Sequence, residues 1–163
     1  MQANYIDVTD EWLKNARPNS HEVREMNYFE INGIVYKNDN VKLDFGKREK
    51  KCANWFENTF GGEIFLVPRI VKPVGISTPD FLINDERWDL KCVKSNGNRA
   101  IDNRIHGTKQ QTSNYIIDVT ENPLSDKNII NQVRRVYSSP ERRWVNKIMV
   151  KRNDKLIAIF IRK

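Results

Sequence analysis

The chain alternates short apolar runs with polar connectors, and the spacing within each run separates helix from strand. In KREKKCANWFENTF (47–60), Cys52, Ala53, Phe56 and Phe60 fall in one narrow stripe at 100° per residue. That predicts an amphipathic helix, closed by Gly61-Gly62. EIFLVP (63–68), DFLI (80–83) and RWDLKCV (87–93) have the length and apolar content of strands. YIIDVT (115–120) is apolar enough for a buried strand. Ser125 can cap KNIINQVRRVYSS, where Ile129, Ile130, Val133 and Tyr137 recur at helical spacing. VNKIMVK and LIAIFIRK read as a hairpin about Asn153-Asp154.

Two stretches are less regular. Before residue 46, Thr9 or Asp10 can cap a short helix through Trp12 and Leu13 that ends before Pro18. YFEINGIVYK predicts a hairpin turning at Asn32-Gly33, and NVKLDF (40–45) a third short strand. Residues 101–113 form a polar helix candidate that Gly107 weakens. The core order is α–β–β–β–α–β–α–ββ, which points to the α/β or α+β class, a mixed central sheet flanked by helices. Residues 1–45 are expected to form an N-terminal helix and hairpin extension, and 46–163 the main domain.

Composition narrows the function classes. Of 163 residues, 28 are Lys or Arg and 21 Asp or Glu, a net charge of +7 that favours polyanion partners, nucleic acid first. Two cysteines, Cys52 and Cys92, make no disulfide framework, and with two histidines they argue against structural zinc. No apolar leader and no run of about 18 apolar residues is visible, so no membrane insertion is expected.

The candidate chemistry lies in Pro79-Asp80 followed by Asp89-Leu90-Lys91. Asp89 and Lys91 are two apart on a strand and share a face. A two-residue loop at Asp85-Glu86 sets Asp80 across from Lys91 and Leu82 across from Asp89. The three then converge, with the carboxylates on a diagonal of about 7–8 Å. A loop one residue longer or shorter turns Asp80 away. Two such carboxylates can hold Mg²⁺ or a similar hard cation against a phosphodiester, and Lys91 can orient the attacking water or offset developing charge. Glu49 extends the centre of the helix stripe by one turn and is preferred as the helix acid over Glu57 on its rim. Glu49 also reads as a first-turn acid that complements the helix dipole.

The run REKKCANWFENTFGG, EIFLVPR, GISTPDFLI and RWDLKCV resembles the PD-(D/E)XK nuclease superfamily, the restriction-endonuclease-like fold with an α-β-β-β-α-β core. NTFGGEIFLVPRI, TPDF…WDLK, DNRI…KQQTSNYIIDVT and YSSPERRWVNKIMVK look like the C-terminal tRNase domain of contact-dependent inhibition CdiA toxins. The resemblance implies metal ligands at Asp80 and Asp89, an acidic helix residue placed at Glu49, and a catalytic lysine at Lys91. It implies Mg²⁺ first, with Mn²⁺ or Zn²⁺ as alternatives. Of the polar residues after the third strand (Asn103, His106, Lys109, Gln110 and Gln111), Lys109 and Gln111 are the choices for substrate support.

Basic residues crowd the region after 130, and Arg143 is the choice among them for phosphate contact. The substrate preference for tRNA over DNA rests on resemblance alone, as does a cognate immunity protein. So does action in the cytoplasm of a target cell, reached as the C-terminal part of a larger toxin. A monomer is expected outside any immunity complex. The competing readings are a DNase of the restriction or repair type and a non-catalytic nucleic-acid-binding module of a phage or mobile element.

Overall fold

A computed structural model describes residues 3–163. The fold is α+β, and the chain divides into two compact units. One contains the chain up to Lys14 together with Leu90–Lys109 and Ser113–Lys163; the other contains Asn15–Asp89 and Gln110–Thr112.

The first unit is built on a mixed sheet. Strand β1 (Tyr5–Asp7) pairs antiparallel with β12 (Lys155–Arg162), β12 antiparallel with β11 (Lys147–Arg152), and β11 parallel with β10 (Asn114–Asp118). The expected C-terminal hairpin is β11–β12, turning at Asn153 with φ 53°. Tyr115, Ile116 and Ile117 are all fully buried, which accounts for the unbroken apolar run in β10. Helix α1 (Thr9–Asn15) starts where expected, but the oxygen that accepts the Thr9 amide belongs to Asp7, not to Thr9 or Asp10. Helix α4 (Asp126–Ser138) carries the predicted cap, with Ser125 Oγ accepting from the Asn128 amide at 3.2 Å. Its Ile129, Val133 and Tyr137 are buried with Ile101 and Ile105 of α3 (Ala100–Ile105) in one core cluster. Helix α3 stops well short of residue 113. Gly107 takes φ 79°, and Thr108 Oγ1 donates to the Ile105 carbonyl at 2.6 Å, closing the end.

The second unit also holds a mixed sheet. Strand β9 (Glu86–Cys92) pairs antiparallel with β8 (Phe81–Ile83), β8 antiparallel with β6 (Ile64–Leu66), and β6 parallel with β2 (Val23–Glu25). Helix α2 (Lys47–Thr59) buries the expected stripe of Cys52, Ala53 and Phe56. The Phe56 ring lies 5.0 Å from Phe60 and 6.3 Å from Trp88. The Asn32-Gly33 hairpin forms between β3 (Tyr28–Ile31) and β4 (Ile34–Lys37), with both turn residues at positive φ. Phe29 from this hairpin, Val67 and Ile70 make a second small core, against which Leu82 packs.

Three expectations change here. Only Val41–Lys42 (β5) of NVKLDF is strand, because 38–40 is a 3-10 turn. The 63–68 run ends its first strand before Pro68 and resumes as β7 (Arg69–Ile70), paired with β5. The three-residue strands β1 and β2 were not anticipated, being too short to show a period.

Gly61 sits at φ 74° at the end of α2, and a Cβ there would collide with the Arg17 carbonyl. Gly61→Ala should therefore cost about 1–3 kcal/mol in urea unfolding. The Tyr137 phenol donates to the carbonyls of Asn146 and Phe160, and burial pushes its pKa well above the ordinary value, only partly opposed by Arg162. Its protonated form is thus worth stability that is intact below about pH 10 and is lost as pH rises beyond the unfolded value. Alkaline difference spectroscopy should find the Tyr137 phenol titrating only as the protein unfolds, so that Tyr137→Phe removes that late-titrating signal.

Candidate functional site

The β8–β9 hairpin sets the geometry. Its two-residue loop is Asn84-Asp85, both at positive φ (49° and 65°), and the register is Phe81↔Trp88, Leu82↔Arg87 and Ile83↔Glu86. The loop is thus one residue earlier than the Asp85-Glu86 expected from sequence. Its length is still two, so the parity that keeps Asp80 and Asp89 on one face is retained. The shift corrects the pairing: the register carried one step on sets Asp80 opposite Asp89, not opposite Lys91. The Asp80 backbone amide donates to Asp89 Oδ1 at 2.8 Å. On its other side the Asp80 carbonyl accepts from the Val67 amide at 3.0 Å.

Asp89 is 2% exposed, although it is a carboxylate. Phe81, Ile83 and Trp88 point the opposite way into the core, so the strand alternation that buries them commits Asp89 to its position. Lys91, half-buried, follows two residues later on the same strand and therefore shares the Asp89 face.

A cleft of about 470 Å³ lies within the second unit, lined by Glu49, Asp80 and Gln111 with Asp44, Arg69, Ser77 and Thr78 among others. Glu49 reaches it from the first turn of α2. A Cβ on Gly46 would run into the Glu49 carboxylate, so this side chain folds back over its own helix start. Glu49 is therefore both a cleft-lining acid and a first-turn acid at the helix N-terminus. Glu57 is elsewhere: it is 5% exposed and its Oε1 accepts from the His21 amide at 2.7 Å. Gln111 is delivered by a loop, not by a helix. Thr112 Oγ1 donates to the Arg87 carbonyl at 2.7 Å, and Arg87 Nη1 makes longer contacts to the carbonyls of Gln110 and Gln111.

Lys109 is exposed in the connector after α3 and is not among the residues lining this cleft. Arg143 lines a cleft of about 570 Å³ in the first unit with Ser138, Ser139, Arg162 and Lys163. Several of the basic residues after 130 have structural duties. Arg142 is buried against Asp102 at 3.0 Å, Lys151 is paired with Asp118 at 3.4 Å, and Arg152 and Arg162 each donate to three backbone carbonyls. His106 is exposed, with Nδ1 3.0 Å from Arg142 Nη2. Sequence reasoning missed Asp44 and Arg69 at the cleft. No motif marks them, and only the β5–β7 pairing brings them together.

The donor set suits a hard cation. Glu49 and Asp80 line the cleft with carboxylates, Asp89 is joined to it through the Asp80 amide and is not among the lining residues, and no soft ligand among the described residues lines the cleft. Among the described residues no three acidic, histidine or cysteine side chains form a ready-made cage. The cleft carboxylates could hold a hard cation, which commonly takes one or two carboxylates and completes its shell with water and phosphate oxygen.

Residues 77–156 match the family model described as the contact-dependent growth inhibition CdiA C-terminal domain. This stretch includes Asp80, Asp89, Lys91, Gln111 and Arg143 but not Glu49. A chain with a similar fold occurs in a solved structure, the "CdiA-CT/CdiI toxin and immunity complex from Burkholderia pseudomallei". Its TM-score is 0.53 at 22% identity, and the match covers 71% of this chain and 83% of that one. Among curated proteins none matches. No helix among the described residues is long and apolar enough to cross a membrane.

The Asp89 contact predicts a separation of stability from chemistry. Asp89→Ala removes the acceptor of the Asp80 amide and should cost about 1–3 kcal/mol in chemical denaturation. Asp89→Asn keeps an oxygen in the same place and should unfold within about 1 kcal/mol of the parent.

Proposed function

We propose that this chain is a metal-dependent nuclease of the toxin type, hydrolysing phosphodiester bonds at a site built on Glu49, Asp80 and Asp89, with tRNA preferred over DNA. The observation that carries the reading is the buried Asp89 carboxylate, hydrogen-bonded across a tight hairpin to the amide of a second acid that lines an open cleft. A carboxylate taken out of water is costly unless a cation or several donors compensate it. A site that gathers acids where a polyanion must bind needs a cation for the same reason. The CdiA family match over 77–156 adds support for a toxin, and the superfamily resemblance adds support for PD-(D/E)XK chemistry.

In this reading Asp80 and Asp89 hold the ion, Glu49 contributes from the helix side, and Lys91 orients water or offsets charge on the phosphate. A bound Mg²⁺ would supply charge neutralisation and a more acidic water. Gln111 contacts the nucleic acid beside the acids, and Arg143 and Lys109 are assigned to phosphate contact. The similar chain comes from a CdiA-CT/CdiI toxin and immunity complex from Burkholderia pseudomallei. By analogy a cognate immunity protein is the expected partner here, with the chain otherwise monomeric. Delivery into the cytoplasm of a target cell as the C-terminal part of a larger protein completes the proposal.

The test uses total tRNA and supercoiled plasmid, each with Mg²⁺, Mn²⁺ or excess EDTA, beside Asp89→Asn and Lys91→Ala. Cleavage of tRNA should need the metal, and each substitution should slow it by on the order of 100-fold or more. Cleavage of plasmid alone moves the assignment to a DNase. Retained binding without cleavage under every metal condition would replace the enzyme with a binding module.

A further inference from the structure

Among the described residues lining the Glu49/Asp80 cleft, the one cation is Arg69, on β7. Its Nη2 donates to Asp44 Oδ2 at 2.8 Å, and Asp44 lines the same cleft. That bond holds one corner of the guanidinium. Nε and Nη1 make no hydrogen bond among the described residues, and the side chain is 59% exposed. The backbone beneath it is fixed, because β7 is paired with β5 through Lys42↔Arg69 and Val41↔Ile70, and Ile70 is buried in the Phe29 cluster.

We propose that Arg69, steadied by Asp44, is the clamp that receives the substrate's phosphodiester group in this cleft. The proposal rests on the nuclease reading and names the residue that binds the anion. The acids that line the cleft would repel a phosphate, and a nearby positive group has to reverse that. A guanidinium suits the task better than an ammonium, since its planar fork meets two phosphate oxygens at once and stays charged at every working pH. An arginine tied at one nitrogen and open at the others is already partly ordered, so less freedom is lost on binding. The other assignment for Arg69 is a surface ion pair with Asp44, which would contribute little to stability at this exposure.

The experiment separates the clamp from the chemistry. Binding of total tRNA, and separately of a single-stranded DNA oligonucleotide, is measured by fluorescence anisotropy in EDTA over a range of salt. The wild-type chain is compared with Arg69→Ala and Arg69→Lys. Single-turnover cleavage with Mg²⁺ is then measured on the same proteins. Arg69→Ala should weaken binding about tenfold and lower the slope of log affinity against log salt by about 1. Arg69→Lys should keep the salt slope, because it keeps the charge, yet cleave at least about tenfold more slowly, because it loses the fork. An Arg69→Ala protein that binds with the wild-type affinity and salt slope overturns the clamp. If the wild-type chain cuts neither substrate, the nuclease reading fails, while the EDTA binding slopes still decide whether Arg69 holds phosphate.

Discussion

The hydrogen bond from the Asp80 amide to Asp89 Oδ1 organises the candidate site. It ties the backbone amide of one acid to the side-chain carboxylate of the other, so the Asp89 side chain is held where the two chain segments meet. The bond exists because the Asn84-Asp85 turn, with both residues at positive φ, closes the hairpin in two residues. It points the right way because Phe81, Ile83 and Trp88 occupy the opposite face and are almost wholly buried. A slip of one residue would drive the Asp89 carboxylate into that apolar core and take Trp88 out of it, a penalty of several kcal/mol. The hydrophobic face thus enforces the placement of the acids.

Charge is distributed less freely than a net value of +7 suggests. Arg142, Lys151, Arg152 and Arg162 are engaged inside the first unit by carboxylates and backbone carbonyls. Buried arginines of this kind satisfy several acceptors at once and hold connections between strands and loops. Of the basic residues after 130, Arg134, Arg135, Arg143, Lys155 and Lys163 remain exposed to a polyanion, and the second unit's cleft adds Arg69. The dense basic tail of the sequence is in large part structural, whereas Arg69 lies outside any basic run and still reaches the cleft.

The helix acid shows how one residue can satisfy two descriptions. Glu49 lies on the continuation of the α2 apolar stripe and lines the cleft, while its carboxylate folds over Gly46 at the helix start. Glu57 shares the helix but is drawn into holding the Ser20-His21 segment through the His21 amide. Helical phase alone ranks the two acids correctly for access to the cleft, because the rim position faces a neighbouring loop.

Much of this protein could be read from the chain itself. The α2 stripe, the Asn32-Gly33 and Asn153-Asp154 turns, the Ser125 cap and the buried run at 115–117 are local signals, each set by a period or by a residue with one preferred conformation. The parity of Asp80 with Asp89 was legible for the same reason, since alternation along a strand is a local property. Two features were decided only by the fold: the register that sets Asp80 opposite Asp89, and the Arg69–Asp44 pair. Each joins segments far apart in sequence or depends on which of two adjacent turns closes first. Such choices are made by the sum of core burial on both sides of a strand, which no short stretch of sequence contains.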